Sequence, residues 1–500
     1  MSRSRTIWIL VCIAVVGIAL RSFNLNGRSL WFDEAFSWRL LQFPFVEMIA
    51  RDGADVHPPL YYIFLRSWTY VFGTSLFALR SFSVACAGVA TFVAYLFTAY
   101  AFRSRRAGIY AALFLALSPW VISYGWEARM YPLGILFALL SSYALLHGLR
   151  DKSFWWFGLY GVFAAALMYT HYYGIFTIVA QALFVCGVLV QSTKWRIGEM
   201  VHARIFWAGL FSACIAVLLF APWLPTFLRQ RAQVQDVFWI PPVTTGAVFD
   251  TFYQIGIPTL SIPREYGVSR IPALFVAVLY VYAIVRYRKI DGMNLTLLLF
   301  GIPIFLSVLI SLGGRSLYND RYFAFTGIFL FIALAYVLSV IKKPLVRRVI
   351  FSMVSVLIFI SFVSYWNQLQ ISQKPGAHAA STYVYEQRGQ NDAVLVSSPF
   401  IYFSILHYAT EEFQAKDAPH LYSTTGELVH FAGGPILTKE DIAGPADIAT
   451  YTGTVWVVDT TGFGEKPLDT PKNWREVSRA MFPEVFAHQG DIVVRKFVVK

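Results

Sequence analysis

The chain has 500 residues, of which 57% are apolar and 14% charged, and its mean hydropathy is +0.56. A soluble protein is about 25% charged, so this composition excludes a purely soluble protein and indicates a polytopic membrane protein. Lysine and arginine (41) outnumber aspartate and glutamate (28), which gives a net charge of +13. In a membrane chain such an excess indicates basic cytoplasmic loops, and it does not predict nucleic-acid binding.

Eleven apolar runs approach the length of about 20 residues that a helix needs to cross a bilayer. They predict about eleven transmembrane helices, near residues 6–22, 76–102, 107–122, 131–149, 154–171, 173–191, 205–222, 270–286, 293–312, 322–341 and 349–366. The first run follows two arginines, as in a signal peptide, but no small-residue cleavage site comes after it. We therefore expect an uncleaved first span.

The basic residues predict the orientation. If the N-terminus is cytoplasmic, six basic clusters fall in inner loops, as the positive-inside rule requires. The clusters are Arg3/Arg5, Arg103/Arg105/Arg106, Arg150/Lys152, Lys194/Arg196/Arg204, Arg286/Arg288/Lys289 and Lys342/Lys343/Arg347/Arg348. An odd number of spans then places the C-terminus outside. The predicted location is the inner (plasma) membrane.

The predicted outer loops have a different chemistry from the inner ones. Before residue 367 they contain arginines but no lysine, and most of the acidic residues of this part. Arginine binds phosphate through two parallel hydrogen bonds, so this face suggests chemistry on a lipid-linked phosphate. The alternative is interfacial anchoring and ordinary ion pairing.

Two outer segments do not resemble simple loops. Glu34–Arg51 and Pro58–Phe72 have helical amphipathicity but cannot span, so we predict interfacial helices at about 34–72. Residues 223–269 are rich in proline and aromatic residues, including Pro258 and Pro263, and also contain Arg264 and Glu265. A structureless loop of this length is typical of a lid over a site.

The composition changes after Tyr365, so we divide the chain into a membrane domain (1–366) and an outer domain (367–500). In the second domain, apolar runs at 393–396, 454–458 and 491–499 predict strands, and 377–388, 400–411 and 473–481 have helical patterns. This alternation predicts a small α/β domain. Its sequence has no nucleotide-binding or zinc-protease signature, so no chemistry is assigned to it.

Paired carboxylates follow the first predicted span, in the stretch LWFDEAFS. The carboxylates of Asp33 and Glu34 cost free energy at a membrane boundary unless they are solvated, form ion pairs or have a functional role. A carboxylate near a lipid phosphate is suited to deprotonate a hydroxyl acceptor. The alternative is that Asp33 caps a helix N-terminus.

A histidine precedes two prolines in the stretch HPPLYY, before the second predicted interfacial helix. His57 is a candidate for substrate binding, and a solvated surface histidine is the alternative.

Glutamate and arginine occur two residues apart in SPWVISYGWEARMY, in a short outer turn. Glu127, Arg129 and Tyr131 are therefore candidates for a shared polar pocket. The alternative for Glu127 and Arg129 is an ion pair that closes the turn.

Two later outer segments also carry polar groups. His171 and Tyr172 lie in THYYG, and Arg315 precedes Arg321 and Tyr322 in NDRYFAF. Each motif alone is ambiguous, but every short outer turn carries such groups, whereas the inner turns carry only basic residues. We therefore place the candidate site on the outer side.

Taken in order over about residues 1–340, these motifs resemble the bacterial branch of the dolichyl-phosphate-mannose–protein mannosyltransferase family. Its members are polytopic GT-C glycosyltransferases, and the aminoarabinose transferase of lipid A is a relative. The resemblance implies a GT-C fold, a polyprenyl-phosphate sugar donor instead of a nucleotide sugar, and an active site on the extracytoplasmic side. It gives nothing on residues 367–500.

The resemblance also implies roles for individual residues. Asp33 matches the essential acidic residue of the first outer loop, the presumed base; Glu34 follows it, and Glu127 matches the second acidic position. These three are the candidate catalytic residues. The candidate substrate-binding residues are His57, Arg129, Tyr131, His171, Tyr172, Arg315, Arg321 and Tyr322. Asp33, His57 and Glu127 could also hold a divalent metal ion, although the spacing does not require one.

The sequence thus predicts a membrane glycosyltransferase whose partners are a polyprenyl-phosphate sugar, membrane lipid, and a glycan, lipid or protein acceptor. The alternative is a transporter or flippase for a lipid-linked or sugar substrate. Carboxylates within the membrane and inverted repeats would favour a transporter. Here the carboxylates lie at the ends of spans on one side, and no inverted repeat is evident.

Overall fold

The computed structural model describes residues 2–194, 196–236, 239–256 and 270–499. The chain forms two compact units. The helical unit comprises Met1–Phe23, His57–Phe64 and Arg80–Gln368, and the sheet unit comprises Asn24–Val56, Leu65–Leu79 and Leu369–Lys500. The prediction of a mostly helical membrane protein with a small C-terminal sheet domain is confirmed.

Helices account for most of the described chain. In chain order they are α1 (Arg3–Ser22), α2 (Phe32–Leu41), α3 (Phe45–Ala54), α4 (Leu60–Phe72), α5 (Leu76–Ala101), α6 (Arg105–Leu117), α7 (Pro119–Gly125), α8 (Tyr131–Asp151), α9 (Phe154–Thr170), α10 (Gly174–Ser192), α11 (Ile197–Met200), α12 (Arg204–Phe220), α13 (Leu224–Asp236), α14 (Thr245–Gly256), α15 (Arg270–Tyr287), α16 (Asp291–Gly313), α17 (Ala324–Ser339), α18 (Pro344–Leu369), α19 (Gly376–Gln387), α20 (Pro399–His407) and α21 (Pro445–Ile448).

Fewer helices than predicted are long and apolar enough to cross a membrane. Over the described ranges there are eight, or nine if the bent pair α6 and α7 forms one span. The predicted number of eleven is not confirmed. Of the other predicted spans, 154–171 coincides with α9, an apolar helix of only 17 residues, and 270–286 coincides with α15. A helix of 17 residues is at the lower limit for spanning.

The predicted run 107–122 is two helices, α6 and α7, which meet at an angle of 56°. Pro119 starts the second helix, because proline has no backbone N–H to donate to the preceding turn. Arg21 of α1 is buried beside the break. Its guanidinium donates hydrogen bonds of 2.9 and 3.0 Å to the carbonyls of Leu115 and Ala116, at the C-terminal end of α6. These bonds satisfy carbonyls that the broken helix cannot pair internally.

Two outer segments also differ from expectation. The amphipathic stretch 34–51 is two helices, because Pro44 interrupts it and becomes the N-cap of α3. The segment 223–269 is not structureless, since α13 and α14 form within it. Pro258, Pro263, Arg264 and Glu265 lie outside the described residues.

The sheet unit contains a mixed six-stranded sheet in the order β3-β2-β1-β4-β6-β5. The first three strands and β4 are parallel to one another, whereas β4–β6 and β5–β6 are antiparallel pairs. Apolar side chains of the central strands, such as Leu395, Val457 and Phe497, pack in one buried cluster. The strands are β1 (Ala393–Val396), β2 (His420–Tyr422), β3 (Ile442–Ala443), β4 (Gly453–Thr460), β5 (Trp474–Pro483) and β6 (Asp491–Val499).

The helix predicted at 473–481 is wrong, because this segment is the edge strand β5. Trp474, Val477 and Met481 recur at helical spacing. Val477 and Met481 are in fact exposed, and only Trp474 joins the core. Backbone pairing with β6 along the whole segment outweighs the local helical pattern.

Candidate functional site

The turn between α7 and α8 carries the motif that the sequence singled out at 127–131. The amide of Arg129 donates a 2.8 Å hydrogen bond to the carbonyl of Glu127, which makes the turn tight. Glu127 and Arg129 are both buried, with exposed fractions of 7% and 3%. Gly125, at the end of α7, packs against Arg21, since a Cβ there would lie 3.0 Å from the Arg21 side chain. Arg21 therefore supports this turn as well as the break before it.

Arg129 contacts the HPPLYY motif. Its Nη2 lies 3.0 Å from Nε2 of His57, and its Nη1 donates a 3.3 Å hydrogen bond to the hydroxyl of Tyr62. Arginine only donates, so Nε2 of His57 must be the acceptor, which requires a neutral imidazole with its proton on Nδ1. The Ser83 hydroxyl donates to the carbonyl of Arg129 and holds its backbone. Two motifs 72 residues apart are thus joined in one site.

Glu127 contacts Arg321 of the stretch NDRYFAF. Nη2 of Arg321 lies 3.3 Å from Oε2 of Glu127, and the two side chains are 20% and 10% exposed. The guanidinium also lies over the ring of Tyr131, 5.4 Å from its centroid. The amide of Arg321 donates to the side chains of Asn319 and Asp320, which fixes the start of the helical turn that carries it. Arg321 therefore comes from a rigid backbone and remains partly accessible.

His171 lies beside this cluster, in the turn between α9 and α10. Its ring centroid is 4.9 Å from that of Tyr322 and 6.0 Å from that of Tyr131. Burial lowers the pKa of His171 well below its usual range, and the positive charges of Arg129 and Arg321 lower it further. Its imidazole is therefore neutral at physiological pH.

Tyr172 is connected to His57 through a residue that the sequence analysis missed. The Tyr172 hydroxyl accepts a 2.8 Å hydrogen bond from the indole of Trp223 and donates to the side chain of Gln230. Gln230, which is 2% exposed, donates in turn to the carbonyl of His57. Gln230 belongs to α13, in the segment that was predicted to be a loop. A glutamine on the buried face of that helix could have been found only if the helix had been recognised.

Asp33 and Glu34 belong to the sheet unit, in the first turn of α2. Trp31 is the N-cap of this helix, so the alternative that Asp33 caps it is wrong. Glu34 is completely buried and lies 3.7 Å from the guanidinium of Arg28. Asp33 is only partly buried. Negative charge in the first turn of a helix is favoured by the helix dipole.

Arg315, the remaining candidate, is exposed in the segment between α16 and α17. Its role stays a prediction. Throughout the described part of the chain, no three His, Cys, Asp or Glu side chains lie close enough to hold a metal ion. The hypothesis of a metal held by Asp33, His57 and Glu127 therefore gains no support from the geometry.

The helical unit thus collects two arginines, two carboxylates (Glu127 and Asp320) and two histidines around the end of α8 at which Tyr131 lies. Two guanidinium groups next to neutral imidazoles and tyrosine hydroxyls provide many hydrogen-bond donors. Such a set suits a phosphate group better than a cation or an apolar ligand.

Comparison with known proteins shows a partial family match. Residues 56–225 match the family described as dolichyl-phosphate-mannose-protein mannosyltransferase. No curated protein sequence matches the chain.

Solved structures resemble nearly the whole chain at low sequence identity. ArnT from Cupriavidus metallidurans bound to undecaprenyl phosphate is 11% identical with a TM-score of 0.61, covering 99% of this chain and 98% of ArnT. Its apo structure is 12% identical, also with a TM-score of 0.61, covering 98% of each chain. The oligosaccharyltransferase AglB from Archaeoglobus fulgidus is 11% identical with a TM-score of 0.54, covering 91% of this chain and 69% of AglB. The chain is therefore similar over residues 56–225 to the dolichyl-phosphate-mannose–protein mannosyltransferases, and it has the fold of the GT-C glycosyltransferases.

Proposed function

We propose that this chain is a membrane glycosyltransferase that moves a hexosyl or pentosyl group from a polyprenyl phosphate to the hydroxyl of a glycan, lipid or protein. The reaction takes place on the extracytoplasmic side of the membrane. The observation that carries the proposal is a pair of contacts at one end of α8: Arg129 lies against His57, and Arg321 lies against Glu127.

The two arginines bind the donor phosphate. A polyprenyl-phosphate sugar is a phosphodiester with one negative charge, and the polyprenyl phosphate that leaves is a monoester with a second, developing charge. Positive groups held in place before the reaction stabilise this growing charge more than they stabilise the bound donor. Arg321 suits this role because its partly exposed guanidinium is held over the Tyr131 ring.

The neutral histidines supply hydrogen bonds without adding further charge. His57 accepts from Arg129 through Nε2, and its neutral imidazole carries the proton on Nδ1. His171 is kept neutral by burial and by the two arginines. Polar contacts of this kind are suited to the sugar hydroxyls and to the phosphate ester oxygen.

Asp33 is the general base. Its carboxylate takes the proton of the acceptor hydroxyl as that oxygen bonds to the anomeric carbon, and the bond from this carbon to the phosphate oxygen breaks. The electron pair leaves with the phosphate, and a single displacement inverts the anomeric centre. The sequence resemblance supports this role for Asp33. Glu34, the carboxylate next to Asp33, is buried against Arg28, which supports a positioning role for Glu34.

The relatives support the choice of donor. The ArnT structure contains undecaprenyl phosphate, and the AglB structure contains dolichol phosphate together with an inhibitory peptide. Both ligands are polyprenyl phosphates, the product that the proposed reaction would release.

The proposal is tested with the purified full chain in liposomes that contain radiolabelled polyprenyl-phosphate sugars. A panel of hexose and pentose donors, incubated with envelope glycan, lipid and protein fractions, should yield labelled acceptor and free polyprenyl phosphate from at least one donor. If the label instead crosses the bilayer while every sugar–phosphate bond stays intact, the chain is a transporter and the proposal is wrong.

The orientation needs its own measurement. Thr424 lies in an exposed turn of the sheet unit, so a Thr424→Cys variant can be labelled without disturbing the core. In a background without Cys12, Cys86, Cys186 and Cys214, we expect an impermeant thiol reagent to label this cysteine in intact spheroplasts. Labelling that appears only after lysis would contradict an extracytoplasmic reaction.

A further inference from the structure

A cavity with mostly apolar walls lies at the opposite end of the helical unit from the cluster around Glu127. It has a volume of about 350 Å³, within the range of small-molecule sites of ~300–1,000 Å³. The C-terminal end of α8 and the first turns of α9 and α12 line it. Because α8 has 21 residues, its two ends are roughly 30 Å apart. This cavity is therefore distinct from the proposed active site.

Helix packing explains why the cavity is there. Helices α9 and α12 approach closely at Gly161, where a Cβ would lie only 2.6 Å from the carbonyl oxygen of Ser212. The Ser212 hydroxyl also donates a 2.9 Å hydrogen bond to the carbonyl of Phe157. Toward the first residues of the two helices, Phe154 and Arg204, this close packing gives way to open space.

The lining combines positive charge with apolar walls. Lys152 and Arg204 supply the charge, and none of the nine described lining residues is acidic. The guanidinium of Arg204 lies 5.3 Å from the centroid of the Phe154 ring. The apolar walls include Leu149, Phe157 and Ile205.

The N-terminal ends of two helices add partial positive charge, whereas the C-terminal end of α8, which carries the opposite partial charge, also borders the cavity. Helices α9 and α12 both begin at the cavity, and neither N-cap, Ser153 or Ala203, makes a side-chain capping hydrogen bond. The N-terminal amides of a helix carry partial positive charge and bind anions. Together with Lys152 and Arg204, they provide donors for one oxyanion.

We propose that this cavity binds the phosphate group of an anionic phospholipid. A free phosphate would satisfy the charges but would leave the apolar walls in contact with water. A lipid satisfies both, since its phosphate faces Lys152 and Arg204 and its glycerol and first acyl carbons face the apolar walls. Trp155 and Trp207, which are close in sequence to the lining residues Phe154 and Ile205, are 72% and 52% exposed, as is typical of aromatic residues at a bilayer interface. Basic pockets between membrane helices are known sites for acidic lipid headgroups.

The proposal is tested by native mass spectrometry of the purified full chain titrated with three probes. These are phosphatidylglycerol, phosphatidylcholine with the same acyl chains, and inorganic phosphate. We expect phosphatidylglycerol to bind and the zwitterionic lipid to bind much more weakly. Equal binding of the two lipids would overturn the proposal. Inorganic phosphate that binds as tightly as phosphatidylglycerol and displaces it would show that the ligand is soluble phosphate.

Substitutions of the two basic residues test whether phosphatidylglycerol binds in this cavity. Each cation near a membrane surface contributes about fivefold to the affinity for an anionic lipid, so a Lys152→Gln/Arg204→Gln variant should bind phosphatidylglycerol roughly 30-fold more weakly. A matched control, Lys342→Gln/Lys343→Gln, removes two exposed lysines from another loop that the sequence predicts on the same side, and it should change the affinity less than twofold. Equal losses in the two variants would mean that the lipid responds only to overall charge.

A second measurement keeps the test decisive if the double glutamine variant folds poorly. The charge-conserving Lys152→Arg/Arg204→Lys variant should retain the affinity of the unmodified chain within about fivefold. Phosphatidylglycerol carrying a photoreactive group close to its headgroup should cross-link to peptides that contain Phe154 or Ile205. Cross-links confined to other helices would contradict the proposed site.

Discussion

The two units hold arginine–carboxylate pairs in different ways. In the sheet unit, Asp459 of β4 lies 2.7 Å from Arg495 of β6. The other oxygen of Asp459 accepts from the amide of Leu468, and Arg495 donates to the carbonyl of the same residue. In the helical unit, Arg321 and Glu127 are 3.3 Å apart, and Arg321 is 20% exposed.

The difference indicates two functions for the same chemical groups. The Asp459–Arg495 pair is short, buried and tied to a neighbouring backbone segment, so it stabilises the sheet. The Glu127–Arg321 pair is longer and partly accessible, beside a second arginine and neutral histidines, and we propose that it binds a phosphate. We therefore expect substitutions in the first pair to lower stability and substitutions in the second cluster to lower ligand binding and turnover.

The largest effect is expected at Asp33, which belongs to the sheet unit. A loss of turnover in a variant of this residue would show that the sheet unit contributes to the reaction. Asp33→Asn removes the proposed base, which contributes about 10²- to 10⁴-fold to the rate. Turnover of a donor identified in the panel should fall by that factor, while the melting temperature stays unchanged.

Glu34→Gln is the comparison for Asp33→Asn, because it removes the neighbouring carboxylate, which is buried beside Arg28 and has the proposed positioning role. It should lower the melting temperature, since it removes the ion pair that the buried Glu34 carboxylate makes with Arg28. Turnover of Asp33→Asn within a few-fold of the unmodified chain would remove Asp33 from the mechanism.

Asp459→Asn should have the next largest effect, on stability. Removing one partner of a buried ion pair typically costs about 3–5 kcal/mol in the free energy of unfolding, because the other charge stays buried. We expect lower thermal stability and faster proteolysis of the sheet unit. Glu476→Gln on neighbouring β5 is the control, because its pair with Arg479 is exposed and contributes about 0–1 kcal/mol. Similar results for both variants would contradict the structural role of the Asp459 pair.

A third prediction concerns pH. Burial raises the pKa of Glu484 to about 7, although the amides of Ala377 and Val485 and the charge of Arg28 oppose the rise. Between pH 4.5 and 7 the folded state therefore holds a proton that the unfolded state has lost, so stability falls as pH rises through this window. The shift corresponds to roughly 3 kcal/mol at 1.36 kcal/mol per pH unit.

Thermal unfolding of the full chain measured at several pH values checks this prediction. Glu484→Gln keeps an acceptor for the amide of Ala377, which now donates to the carboxylate at 3.0 Å, but it cannot titrate. The variant should therefore lose this part of the pH dependence. The exposed Glu427→Gln serves as control. The same pH dependence in Glu484→Gln and in the unmodified chain would contradict the buried-carboxyl interpretation.

The sequence predicts those features that arise from local composition. Apolar runs and basic loops indicate the membrane protein, and the short polar motifs indicate candidates such as Arg129, His57 and Arg321. The contacts around Glu127 join the motifs that contain His57, Arg129 and Arg321. Each of these motifs lies at the end of a helix, where neighbouring turns pack together. The ArnT-like fold accordingly agrees with the resemblance that these motifs suggest.

Features that depend on tertiary contacts could not be predicted in this way. The strand β5 has helical spacing and is fixed only by pairing with β6. Gln230 enters the cluster only because α13 forms, and Arg21 has its role only because α6 breaks at Pro119. The spacing of residues along the chain carries no signal for such long-range hydrogen bonds.

The central claim is that Arg321 binds the phosphate of the donor, and the affinity for sugar-free undecaprenyl phosphate tests it most directly. Arg321→Ala loses a charge-assisted hydrogen bond, so the purified variant should bind roughly 10- to 150-fold more weakly, at about 1.5–3 kcal/mol. Arg321→Lys keeps the charge but not the two parallel donors, so its affinity should fall between those of Arg321→Ala and the unmodified chain. Arg229→Ala, which removes an exposed arginine, should bind normally. Unchanged affinity in both Arg321 variants would show that this residue only anchors α17 through Glu127, and it would contradict the account.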